Sequence, residues 1–125
     1  MIAPQVVYIC IGEQIPVQMY TTWGAIKHYV SDDEQGVDLA EWFALAQFAR
    51  LRRDIQRIYP AGLALHIYLE DFGVLYEDAG GRGADVHRRV EQNVKTYVSQ
   101  FEALVNAVAA PWAKTYCFSA VVPAD

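Results

Sequence analysis

Two adjacent carboxylates, Glu70 and Asp71, close the apolar alternation Leu63, Leu65, Ile67, Leu69. Paired acids at the end of a strand face solvent or meet a ligand, a cation or an amine, and in a site they would shuttle protons or grip an ammonium group. The first positive charge in the chain, Lys27, comes directly before His28 and shortly after Trp23-Gly24, in the stretch TTWGAIKHY. Lys27 would hold a phosphate or carboxylate as a point charge, or act as a base if buried. His28 would carry protons near neutral pH, and Trp23 would offer a stacking face with Gly24 forming a tight turn behind it. Each of these residues also has a plainer reading: a solvated Lys and His, a Trp that lids the core, and carboxylates in water.

Other candidates are weaker. Gly80-Gly81-Arg82-Gly83 before a helix resembles a phosphate loop, but it lacks the Lys-Ser/Thr of a nucleotide-binding loop and does not directly follow a strand, so a flexible turn is the favoured reading. Glu77-Asp78 read as a solvated loop, His66 as a satisfied interior or sheet-face histidine, and His87 beside Arg88 and Arg89 as surface. Cys10 and Cys117 lie in apolar runs without metal-ligand spacing and read as buried thiols in a reducing compartment. The chain carries no nucleophile elbow, zinc spacing or dinucleotide fingerprint. No metal and no cofactor are expected.

The elements that would position these residues follow from periodicity. Val6 to Ile11 and Ile15 to Tyr20 are short β-rich runs separated by Gly12-Glu13-Gln14, which predicts two strands and a turn, the first an edge strand or an arm. Asp38 with Glu41 three residues later forms a capping box, and Ala44, Phe48, Leu51, Ile55 and Ile58 recur at helical spacing with Arg50, Arg53, Asp54 and Arg57 on the wet side. Pro60 and Gly62 stop that helix. Leu63 to Leu69 is a strand covered on at least one face, with both faces the favoured expectation. A second helix opens at Asp85 and carries Val86, Val90, Val94, Tyr97, Phe101, Leu104 and Val108. Thr115 to Val122 reads as a last strand. This alternation implies an α/β domain in two or three layers, small and Rossmann-like, with a mainly parallel sheet of three to four strands and two long helices.

In such a sheet ligands sit beyond the carboxyl ends of the strands. That edge selects three stretches: the loop after Tyr20, containing Trp23, Gly24, Lys27 and His28; the loop after Leu69, beginning Glu70-Asp71 and running to Glu77-Asp78; and the tail after Val122. The two loops, read as Thr21 to Val37 and Glu70 to Ala84, are as long as the roughly 12 to 15 residues at which unstructured connections become uncommon and usually functional or disordered.

With 125 residues the chain is one domain, read as residues 1–125 and either whole or a fragment of a larger protein. A net charge of −5 argues against non-specific attraction to nucleic acid or anionic membrane. No Lys or Arg precedes Lys27, so no basic secretory leader is expected, and the apolar stretch from Leu39 to Ala49, interrupted by Glu41 and Gln47, is too short to span a bilayer. A soluble, cytoplasmic protein is the expectation.

Three stretches are similar to the isocyanide (isonitrile) synthases of the pyoverdine and dityrosine biosynthesis family, over about Ile15 to Leu104. PVQMYTTWGAIK resembles the family's apolar strand leading to a loop with an aromatic and a lysine; EWFALAQFARLRRDIQRIYPAG resembles its long helix with a Tyr-Pro-x-Gly type stop; LALHIYLEDFGVLYEDAG resembles its strand running into an acidic segment. The resemblance implies a Rossmann-like domain that joins an amino acid to a pentulose phosphate and converts the amino nitrogen to an isonitrile, with no metal. It would place Lys27 in the anionic-substrate loop and match Asp71 to the acidic residue after the strand. Glu70 stands where the family has Ser and Phe72 where it has Gly, the loop after Trp23 lacks the family's Pro-Phe-Pro wording, and the family continues through a second half. Two functions follow as expectations. The first is an isonitrile-synthase-like enzyme with Glu70, Asp71 and His28 catalytic and Trp23, Gly24 and Lys27 binding substrate. The second is a non-catalytic α/β binding or assembly module, a homodimer or other homo-oligomer. A third, phosphate-ester binding through the glycine loop, would depend on Arg82.

Overall fold

A computed structural model describes residues 4–25, 36–71 and 83–121; of residues 4–8 and 84–87 only the backbone is described. The order is α1 (Pro4–Glu13), β1 (Val17–Gly24), α2 (Leu39–Ile58), β2 (Leu63–Glu70), α3 (Ala84–Val108), β3 (Ala113–Cys117) and α4 (Phe118–Val121). The strands form a parallel three-stranded sheet in the order β1-β2-β3. The expected α/β class with two long helices is what the chain adopts.

The run Val6 to Ile11, expected as a strand, is helical. A short apolar run does not by itself distinguish a buried strand from a helix, and Pro4 occupies the first helical position, where its missing N–H costs nothing. The helix ends in a Schellman turn. Ile15 N–H donates to the Cys10 carbonyl at 3.0 Å, Gln14 N–H donates to Ile11 at 3.2 Å, and Gln14 itself takes φ 58°. The Tyr59 hydroxyl, at the end of α2, is shared between the carbonyls of Cys10 and Ile15 and so ties α1 to the return before β2.

α2 starts as its capping box dictates: Ala40 N–H donates to Asp38 Oδ1 and Asp38 N–H to Glu41 Oε2, both at 2.8 Å. Its inward line differs from the expected one. Glu41 and Leu45 are buried, while Leu51 is 39 % and Ile58 90 % exposed. A step of one residue turns a helix by about 100°, so Arg52 takes the inward place beside Leu51 and lays its guanidinium 5.6 Å over the Trp112 ring.

Both long helices bury against one face of the sheet. Leu65, Ile67 and Leu69 meet Leu45 of α2 and Val90, Val94, Tyr97, Phe101 and Val105 of α3 in one core, with Met19 and Trp23 of β1 packed on it. Right-handed crossovers along strands laid down in one direction put their helices on the same side. β2, expected to be covered on both faces, therefore alternates between buried Leu63, Leu65, Ile67 and Leu69 and half-buried Ala64, His66 and Tyr68. Among the described residues the result is two layers, with no long helix over the second face. β3 stops at Cys117, short of the expected Val122, because Phe118–Val121 turn into a helix.

Candidate functional site

The parallel register pairs Trp23 with Leu69 and Gly24 with Glu70, so Trp23, Gly24, Glu70 and Asp71 do converge on the carboxyl edge of the sheet. Trp23 and Gly24, expected in a loop, are the last residues of β1. Lys27, His28, Glu77, Asp78 and Arg82 lie outside the described residues.

Strand alternation turns the Trp23 indole to the core side. Its ring lies 5.0 Å from Phe101, and its Nε1–H donates to the Tyr97 hydroxyl at 2.9 Å. Tyr97, itself 1 % exposed, donates to Glu41 Oε1 at 2.9 Å. A buried relay thus runs from the edge of the sheet through α3 to the start of α2, and it satisfies the one polar side chain buried among the described residues, Glu41. The capping box was legible in the sequence; that its Glu would also anchor Tyr97 and Trp23 was not.

The paired carboxylates divide. Asp71 accepts from the backbone N–H of Ser119 at 2.9 Å and from the Ser119 hydroxyl, so both its oxygens hold the start of α4 against the end of β2. Glu70 is exposed, points to the open face by alternation, and makes no hydrogen bond or ion pair among the described residues. Of the two, Glu70 is the carboxylate left without a partner among the described residues.

Sequence reasoning passed over the open face itself. Here Tyr20, His66, Tyr68, Tyr116 and Phe118 form a ladder of stacked rings: Tyr20 to His66 at 4.8 Å, Tyr68 to Tyr116 at 4.9 Å, Tyr68 to Phe118 at 6.1 Å, and Tyr20 to Tyr68 at 6.5 Å. The signal was available in the alternate positions of β1, β2 and β3, but only pairing across strands turns separate aromatics into one surface. His66 anchors the ladder. Gln18 Nε2 donates to Pro16, which leaves its Oε1 to accept from His66 Nε2 at 2.6 Å, while the Tyr116 hydroxyl lies 3.0 Å from Nδ1. This geometry fits the neutral imidazole, with Tyr116 donating to Nδ1. Partial burial, and then the charge of Lys114, hold the His66 pKa below its ordinary value.

At the carboxyl end of this face the ladder breaks, because β1 places the small Thr22 opposite Tyr68. The gap is an open cleft of about 490 Å³ lined by Tyr20, Thr21, Thr22, Tyr68 and Phe118. A second depression, of about 450 Å³, lies along α3 between Arg88, Arg89, Glu91, Gln92 and Lys95. No three His, Cys, Asp or Glu side chains cluster as a metal site would among the described residues, and no described helix is long and apolar enough to cross a membrane.

No protein-family model and no curated protein matches the chain. Among solved structures, it is similar to the crystal structure of the PvcA protein from Pseudomonas aeruginosa, with a TM-score of 0.60 and 18 % identity. What the two share is a fold. The match covers 95 % of this chain and 36 % of that one, so the chain spans about a third of the length of PvcA.

Proposed function

We propose that the chain is a relative of the isonitrile synthases that acts on an amino acid and a phosphorylated pentulose at the carboxyl edge of its sheet. The observation that carries this reading is the fold shared with PvcA over 95 % of the chain, taken with the family resemblance of the three stretches between Ile15 and Leu104. Within it, Lys27 holds the phosphate or carboxylate, Glu70 grips the amine or moves its proton, and His28 assists proton transfer. Asp71 acts through Ser119, keeping α4 beside the edge. Trp23 and Gly24 form the floor, the indole closing the core against water.

A thermal-shift titration of the chain and of Lys27→Ala with ribulose 5-phosphate, inorganic phosphate and tyrosine tests the reading. A ligand at about a hundred times its dissociation constant adds roughly 2.7 kcal/mol. A shift with the sugar phosphate that disappears in Lys27→Ala is expected; no shift with any of the three removes the enzyme reading.

The second reading, an assembly module, is favoured by the apolar side chains left in water on α2. Leu39 is 69 %, Phe43 60 % and Ile58 90 % exposed. Sedimentation would then give an obligate oligomer that no small molecule stabilises.

A further inference from the structure

We propose that the cleft on the open face of the sheet binds an organic ammonium ion, its cationic head received by the rings of Tyr20, Tyr68 and Phe118 and balanced by the Glu70 carboxylate. This goes beyond the sugar-phosphate reading and does not depend on it.

Size selects a small molecule over a protein partner. Among the described residues, strands about 4.8 Å apart that rise about 3.3 Å per residue give this face a footprint of roughly 400 Å². That is half of the about 800 Å² each partner contributes to a stable interface. The cleft, at about 490 Å³, lies inside the range of about 300 to 1,000 Å³ usual for small-molecule sites.

The walls are set before any ligand arrives. Tyr68 leans on Tyr116 with 21° between planes and on Phe118 with 27°, and Tyr20 leans on His66 with 15°. Each ring is braced by a neighbour on the adjoining strand or just beyond it, so little side-chain freedom is lost on binding. Thr22, opposite Tyr68, leaves the space that a larger residue would fill.

Charge selects the sign. Among the described residues, no Lys or Arg lines the cleft. Glu70 is the next residue of β2 on the same face beyond Tyr68 and is unpaired among the described residues. Lys114 lies on the amino side of Tyr116, opposite His66, at the other end of the ladder. Aromatic faces carry negative quadrupole density, and a nearby carboxylate adds to it. An ammonium group with an apolar body satisfies both features, whereas an anion would satisfy neither.

The test is an NMR titration of the full chain with choline and with 3,3-dimethylbutan-1-ol, which replaces the quaternary nitrogen with carbon. Choline is expected to shift the Tyr20, Thr22, Tyr68 and Phe118 resonances and to bind about tenfold more tightly than the alcohol, the cation–π preference at a partly desolvated site. Glu70→Gln, an exposed change, should weaken choline roughly threefold while leaving the alcohol unaffected, and Tyr68→Leu should abolish choline binding. Unchanged Tyr97 and Phe101 signals show that the core is intact in both variants. Equal affinity for choline and the alcohol, no shift at these residues, or unaltered choline binding in the two variants overturns the proposal.

Discussion

Replacing Tyr97 with Phe removes one oxygen from the interior and leaves the packing in place, since the ring stacks on Phe101 at 5.9 Å with 9° between planes. That oxygen accepts from Trp23 Nε1 and donates to Glu41 Oε1, each at 2.9 Å, in a residue 1 % exposed. A hydrogen bond to a carboxylate contributes about 1.5 to 3 kcal/mol and a neutral one about 0.5 to 1.5 kcal/mol. Trp23 is half-buried, so water replaces part of its loss. Tyr97→Phe should therefore cost about 2 to 4 kcal/mol. The melting point of a chain this size should fall by several degrees for each kcal/mol. Urea unfolding followed by tryptophan fluorescence and by circular dichroism measures the change, with an unaltered m-value showing that the native and denatured states are comparable. Glu41→Gln and the double variant complete a cycle, and direct contact predicts a coupling of about 1 kcal/mol or more. A loss below about 0.5 kcal/mol, the scale of an indifferent surface change, or strict additivity in the cycle would refute the relay as a stabilising unit.

Two further outcomes are expected. His66 has a folded pKa below its ordinary 6.5, so the unfolded chain takes up the proton more readily. The contribution of the neutral ring is therefore present above about pH 6.5 and lost as pH falls through that value toward the lower folded one. Between pH 7.5 and 5 the chain should lose melting temperature that His66→Gln does not lose; parallel curves for the two would show that the imidazole is indifferent to folding. Cys10 is buried, and the Cys117 pKa is pushed up by burial and then by the carboxylates of Asp71 and Glu102. Both thiols should react with a disulfide reagent at pH 7.5 roughly tenfold or more slowly than in denaturant, Cys10 because burial keeps the reagent out and Cys117 because the thiolate is the nucleophile and its raised pKa disfavours it; rapid labelling of the native chain would contradict this environment.

The sequence alone was enough wherever a signal is local. The Asp38–Glu41 box starts α2 because its two hydrogen bonds join residues three apart or fewer. The alternation of Leu63, Leu65, Ile67 and Leu69 makes β2 a strand because a period of two sets all four on the face that is buried. The periodic stripe of α3 held for Val90, Val94, Tyr97 and Phe101 in the same way. The convergence of Trp23, Gly24, Glu70 and Asp71 on one edge followed from parallel topology and the ends of strands.

Tertiary structure decided whatever depends on residues far apart in the chain. α1 is a helix although its residues favour strands, because an apolar run of that length is compatible with either form and its surroundings choose. Glu41 and Trp23 meet through Tyr97, more than fifty residues from either. Asp71, just past the end of β2, is spent on Ser119, more than forty residues away, while Glu70 has no partner among the described residues. The aromatic ladder exists only once the strands lie side by side: the register sets Tyr20 beside His66 and Tyr68 beside Tyr116, and leaves Thr22 as the gap.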